Sequence, residues 1–123
     1  MLAKFEHTQG LSKISFNKTI TVFCPLGNDF YTATIQIEFT PAKVLMDYLD
    51  EEAYFKELQG AKLIIEDVVK QVYDHYLTEY DPAQLTVTVY AENATHFPVS
   101  VTKTKDTKTL RGWYNPSCIP TQR

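Results

Sequence analysis

Histidine and cysteine are scarce in this chain of 123 residues, which holds three of the first and two of the second. His7, His75 and His96 lie far apart, and neither a CxxC pair nor an HExxH stretch occurs, so no structural zinc site is expected and no metal is assigned. Cys24 and Cys118 allow one disulfide, but in a reducing compartment both are expected as free thiols. No apolar run reaches membrane-spanning length, and the opening residues MLAKFEHTQG hold none of signal-peptide length. The expectation is therefore a cytoplasmic protein without a membrane partner. A basic excess is missing too. The formal net charge of -3 argues against a general nucleic-acid binder, so no direct nucleic-acid contact is expected. Internal repeats and low-complexity tracts are absent.

What is present is hydrophobic patterning. With 44% apolar residues the chain can build one core, and it reads as a single domain over residues 12–105 between an N-terminal arm, 1–11, and a C-terminal tail, 106–123. Ile14, Phe16, Ile20, Val22 and Cys24 alternate with polar residues, the period of a half-buried strand. The run Pro25-Leu26-Gly27-Asn28-Asp29 is rich in turn formers. A second strand follows, with Tyr31, Ala33, Ile35, Ile37 and Phe39 on one face and Thr32, Thr34, Gln36 and Glu38 on the other.

Residues 43–58 place Val44, Leu45, Tyr48, Leu49, Phe55 and Leu58 at helical spacing, with Asp47, Asp50, Glu51 and Lys56 elsewhere. Gly60 separates them from a stronger helix over 62–80, whose apolar face runs from Leu63 to Tyr80 and which Asp81-Pro82 stops. Leu85, Val87, Val89 and Ala91, then Phe97, Val99 and Val101, alternate as two further strands. The order ββααββ predicts an α+β fold: an antiparallel four-stranded sheet with two helices on one face. The other face is rich in threonine, suiting either solvent or the lining of a barrel built from several copies.

Among residues that carry chemistry, Cys24 sits at the tip of the first hairpin. A thiolate there can add to an electrophilic carbon, although a free cysteine at a strand end also serves as a small buried hydrophobe. Glu66, early in the second helix, suits the positive end of a helix dipole. His96 follows a loop, His75 reads as solvent-facing, and Cys118 lies in the irregular tail. The aromatic residues fall mostly at core positions.

The sequence Cys24-Pro25, then a turn, then Ala33-Thr34-Ile35-Gln36-Ile37-Glu38-Phe39 and Pro41 resembles the nitrile reductases of queuosine biosynthesis and their archaeosine-forming relatives. These belong to the tunnelling fold, whose members pair purine- or pterin-like ligands with homo-oligomeric barrels bearing sites between subunits. The likeness covers roughly residues 20–90. Its Gly60-to-Glu66 spacing is closer to the amidine-forming branch than to the reductases. The resemblance implies a Cys24 thioimide with a deazaguanine nitrile (preQ0), with Glu66 holding the base. Where the family carries a proton-donating aspartate this chain has Tyr31, so Asp29 is the nearest candidate for that proton. Tyr31 and His96 complete the expected substrate-binding set. Ile65 stands where the family has a histidine, and Met46-Asp47-Tyr48-Leu49-Asp50-Glu51 replaces the lysine- and serine-rich stretch linked to NADPH. The cofactor is therefore left unassigned, and amine addition is favoured over reduction. The alternative is a non-catalytic purine- or deazapurine-binding homologue.

Overall fold

The computed structural model describes residues 5–6, 8, 10–92 and 98–106. Along them run β1 (Phe5–Glu6), β2 (Ile14–Cys24), β3 (Asp29–Thr40), β4 (Val44–Leu45), α1 (Tyr48–Leu58), α2 (Ile65–Tyr80), β5 (Gln84–Ala91) and β6 (Val99–Asp106). Of the expected tail, 106–123, only Asp106 is described, as the last residue of β6; the rest of it, and Phe97 of the expected last strand, lie outside the described residues.

The period-two stretches fold as read. β2 and β3 pair antiparallel from Ile14↔Phe39 to Cys24↔Asp29 without a slip, because shifting one residue would turn every apolar side chain to the wrong face. Asn28 closes the turn at φ 57, a left-handed conformation that asparagine tolerates, and its N–H donates to the Cys24 carbonyl at 2.7 Å. The sheet order is β2-β3-β5-β6, each neighbour antiparallel. On its inward rows Val22, Ile35, Ile37, Val87 and Val89 are fully buried. The outward rows carry threonine ladders: Thr19 with Thr34, Thr86 with Thr104 at 3.2 Å, and Thr88 with Thr102 at 3.0 Å.

Both helices cover the apolar face, α2 across β5 and β6 and α1 against β2. α2 buries Ile65, Val68, Val69, Val72, Tyr73, Tyr76 and Tyr80, the three-and-four spacing of an amphipathic helix. It ends at Asp81, left-handed at φ 43, before Pro82.

α1 departs from the sequence reading. It starts at Tyr48 rather than residue 43, because Val44 and Leu45 pair with Phe5 and Glu6 of the arm. Asp47 caps it, its carboxylate accepting from the Leu49 and Asp50 N–H groups. That start turns Glu51, Phe55 and Leu58 inward and leaves Tyr48 and Leu49 61% and 79% exposed, contrary to their expected place on the apolar face. The second helix is likewise shorter than expected, since residues 60–63 run extended along β2 before Ile65 opens it.

Glu51, read as a surface acid, is buried at the end of the sheet farthest from Cys24. Its carboxylate accepts from the Tyr80 hydroxyl at 2.6 Å and from His75 Nε2 at 2.9 and 3.2 Å. Since a carboxylate only accepts, the ring proton sits on Nε2. The His75 ring also stacks flat on Tyr54, centroids 3.7 Å apart, so His75 is packed between the helices rather than solvent-facing. Burial alone pushes the Glu51 carboxyl upward. The hydrogen bonds from His75 and Tyr80, the nearby Tyr76 hydroxyl and the imidazole charge outweigh it and hold the group below its ordinary value. Tyr80 responds the other way, raised first by burial and then by Glu51.

A carboxyl whose folded pKa is depressed adds stability above its unfolded pKa and loses it as pH falls through the folded value. From about pH 4.5 downward, the ordinary value for this group, the native protein should therefore lose stability more steeply than Glu51→Gln in urea titrations at stepped pH. Glu51→Ala, which leaves Tyr80 and His75 without their acceptor, should cost about 1–3 kcal/mol at neutral pH.

Candidate functional site

Cys24 is the last residue of β2, half-buried, and the turn folds back on it: the Gly27 N–H reaches its Sγ at 3.3 Å. Asp29 is its cross-strand partner. Paired residues share a face with Cβ atoms about 4.5–5.5 Å apart, which puts Cys24 and Asp29 on the same face of the hairpin as Val22 and Tyr31. One Asp29 oxygen accepts from the Phe30 N–H at 2.8 Å. Phe23 and Phe30 meet edge-to-face on the opposite side of the hairpin.

What brings α2 to this end is the extended link after α1. Gly60 takes φ +77 and donates to the Thr21 carbonyl at 2.7 Å. The Thr21 N–H in turn donates to Gln59 Oε1 at 2.9 Å. Phe23 N–H then donates to Ala61 and Leu63 N–H to Phe23, at 2.8 and 2.9 Å, with Lys62 bridging Phe23 in parallel. Residues 60–63 thus form a strap on the outer edge of β2. Two residues beyond Leu63 the helix begins, with Glu66 and Asp67 exposed in its first turn.

Tyr31 lies beneath the strap. It is 3% exposed, and its hydroxyl donates to the Leu63 carbonyl at 2.6 Å. Burial pushes this hydroxyl well above the ordinary tyrosine range, and the charges of Cys24, Glu66 and Asp67 add to the shift. One hydroxyl therefore feels the thiol and both carboxylates. Asp67 was not among the residues singled out from the sequence; its place beside Glu66 in a first helical turn was the available signal. His96 lies outside the described residues, as does Cys118.

A cleft of about 590 Å³ opens elsewhere, between α1 and α2, lined by Tyr54, Gln71, Asp74, His75 and Glu79 among others. A smaller apolar groove of about 430 Å³ runs beside Leu11, Met46 and Leu49. Cys24, Asp29 and Glu66 line neither.

The cofactor was left unassigned because residues 46–51 stand where the reductases carry the stretch linked to NADPH, and their surroundings here do not suit that cofactor. Asp47 is spent capping α1, and Glu51 is buried beneath His75 and Tyr80, so the stretch offers carboxylates where a nicotinamide dinucleotide phosphate needs cations.

Two helices on one face of an antiparallel β2-β3-β5-β6 sheet define the tunnelling fold expected from the sequence. The chain is similar to the crystal structure of an archaeosine synthase QueF-Like in its apo form. The TM-score is 0.72 over 78% of this chain and 95% of that one, with 14% of residues identical. At that identity the likeness establishes the fold. No family model matches the sequence, and no curated protein matches it either. No described helix is long and apolar enough to cross a membrane.

The strap depends on its left-handed glycine. A Cβ at Gly60 would meet nothing within 4 Å, so Gly60→Ala is penalised by backbone conformation alone. It should cost about 1–2 kcal/mol in chemical denaturation. Gly60→Asn should cost less, since asparagine visits that region more readily.

Proposed function

We propose that this protein binds a purine-like base bearing a nitrile, of the 7-cyano-7-deazaguanine type, and captures it covalently through Cys24. The Cys24 sulfur adds to the nitrile carbon and the thiol proton passes to the nitrile nitrogen, giving a thioimide with no leaving group. Asp29, cross-strand to Cys24, supplies a carboxyl to relay that proton. Glu66 accepts hydrogen bonds from the amino and ring N–H groups of the base. An amine then displaces the thiolate to leave an amidine, the reaction type favoured over reduction by the acidic stretch around α1.

The observation that carries this reading is the strap on β2, which sets the first turn of α2 beside the hairpin end that presents the thiol. The shared fold with an archaeosine synthase supports it. β6 is an outer strand of the sheet, and a homo-oligomer with sites between subunits would pair such an edge.

A second reading, a base-binding protein without turnover, is favoured by Tyr31. Its hydroxyl is committed to the Leu63 carbonyl where the family has a free proton donor.

Incubation with 7-cyano-7-deazaguanine followed by intact-mass measurement should add the whole ligand mass to the native protein and nothing to Cys24→Ala. Saturable binding without an adduct selects the second reading. Absence of binding removes both. NADPH absorbance in the same mixture should stay constant.

A further inference from the structure

We infer that Tyr31 is a positioning residue: by holding the Leu63 carbonyl it fixes the segment that launches α2, and so sets where Glu66 stands relative to Cys24. The inference rests on the proposed roles of Cys24 and Glu66, and it gives Tyr31 a task other than touching the ligand.

Leu63 is gripped from two strands at once. Its N–H donates to the Phe23 carbonyl of β2 at 2.9 Å, and its C=O accepts from Tyr31 of β3 at 2.6 Å. This double hold matters because α2 begins without a side-chain cap. Ile64 occupies the cap position and its side chain makes no hydrogen bond there. A helix that lacks its own cap has no local device to fix the direction in which its first turn leaves the preceding chain. Here the direction is imposed from outside, one residue upstream of the cap. On a helix the azimuth of a residue follows from where the helix starts, so displacing Leu63 swings Glu66 with it.

The Tyr31 ring is buried against the core and its strand partner is Val22, two residues before Cys24. The strut therefore joins the same stretch of β2 and β3 that presents the thiol to the helix that presents the acid. Burial and the surrounding negative groups keep the hydroxyl protonated, so it acts as a fixed donor rather than a proton carrier.

Tyr31→Phe keeps the ring and removes only the O–H. Hydrogen exchange followed by mass spectrometry should quicken about tenfold in peptides covering residues 60–68, with β5 unchanged. Unchanged exchange over 60–68, or a uniform rise across the chain, overturns the inference. A double-mutant cycle supplies the readout that a general loss of stability would not move. In a Cys24→Ala background, where binding is reversible, affinity for 7-cyano-7-deazaguanine should fall about tenfold for Tyr31→Phe and for Glu66→Gln alike. The double variant should bind no more weakly than Glu66→Gln alone. Multiplying losses overturn the inference. A native protein that binds no base removes the reading of the site instead, and localised exchange at 60–68 then still supports the strut.

Discussion

Everything near Cys24 depends on how residues 60–63 lie on the edge of β2. The hydrogen bonds from Gly60, Phe23 and Leu63 allow one register, since an extended segment displaced by one residue presents its groups to the wrong side. That register decides which residue opens α2, and the opening residue decides which way Glu66 and Asp67 point. The hairpin supplies the other half of the arrangement, with its turn closed on the Cys24 carbonyl and Gly27 on the thiol. The short-range geometry of the hairpin and the long-range hold of the strap meet at one corner of the sheet.

The two ends of the helical layer are held differently. At the Cys24 end the acids are exposed and the ties are backbone hydrogen bonds. At the far end Glu51 is buried, and the tie is a carboxylate shared between His75 and Tyr80. Burying a carboxylate without partners costs more than any one of these bonds returns, so the cluster works only as a whole. Around it Phe39 stacks on Tyr80, and Tyr76 packs tilted against both rings.

The long strands and α2 were legible because their apolar periods persist over eight residues or more, and burial follows those periods closely. Val44 and Leu45 misled because they match a helical spacing by chance, while the partner that makes them a strand lies some forty residues upstream. Glu51 was read as surface from its charge. Its spacing of four and seven to Phe55 and Leu58 placed it on the buried face, but His75 and Tyr80, which make that burial tolerable, lie on another helix. Cys24 at a strand end and Glu66 in a first turn were both readable as positions. Their convergence on one corner was not, because it rests on a strap too short to show any period.

The sparse inner face of α1 has a bearing on how the helical layer holds together. Besides Phe55 and Leu58 it offers chiefly a carboxylate, whose hydrogen-bond donors exist in the right place only once α2 has docked on the sheet. The seat of α1 is therefore conditional on that of α2: without His75 and Tyr80 in place, its inner face would bury an unsatisfied acid.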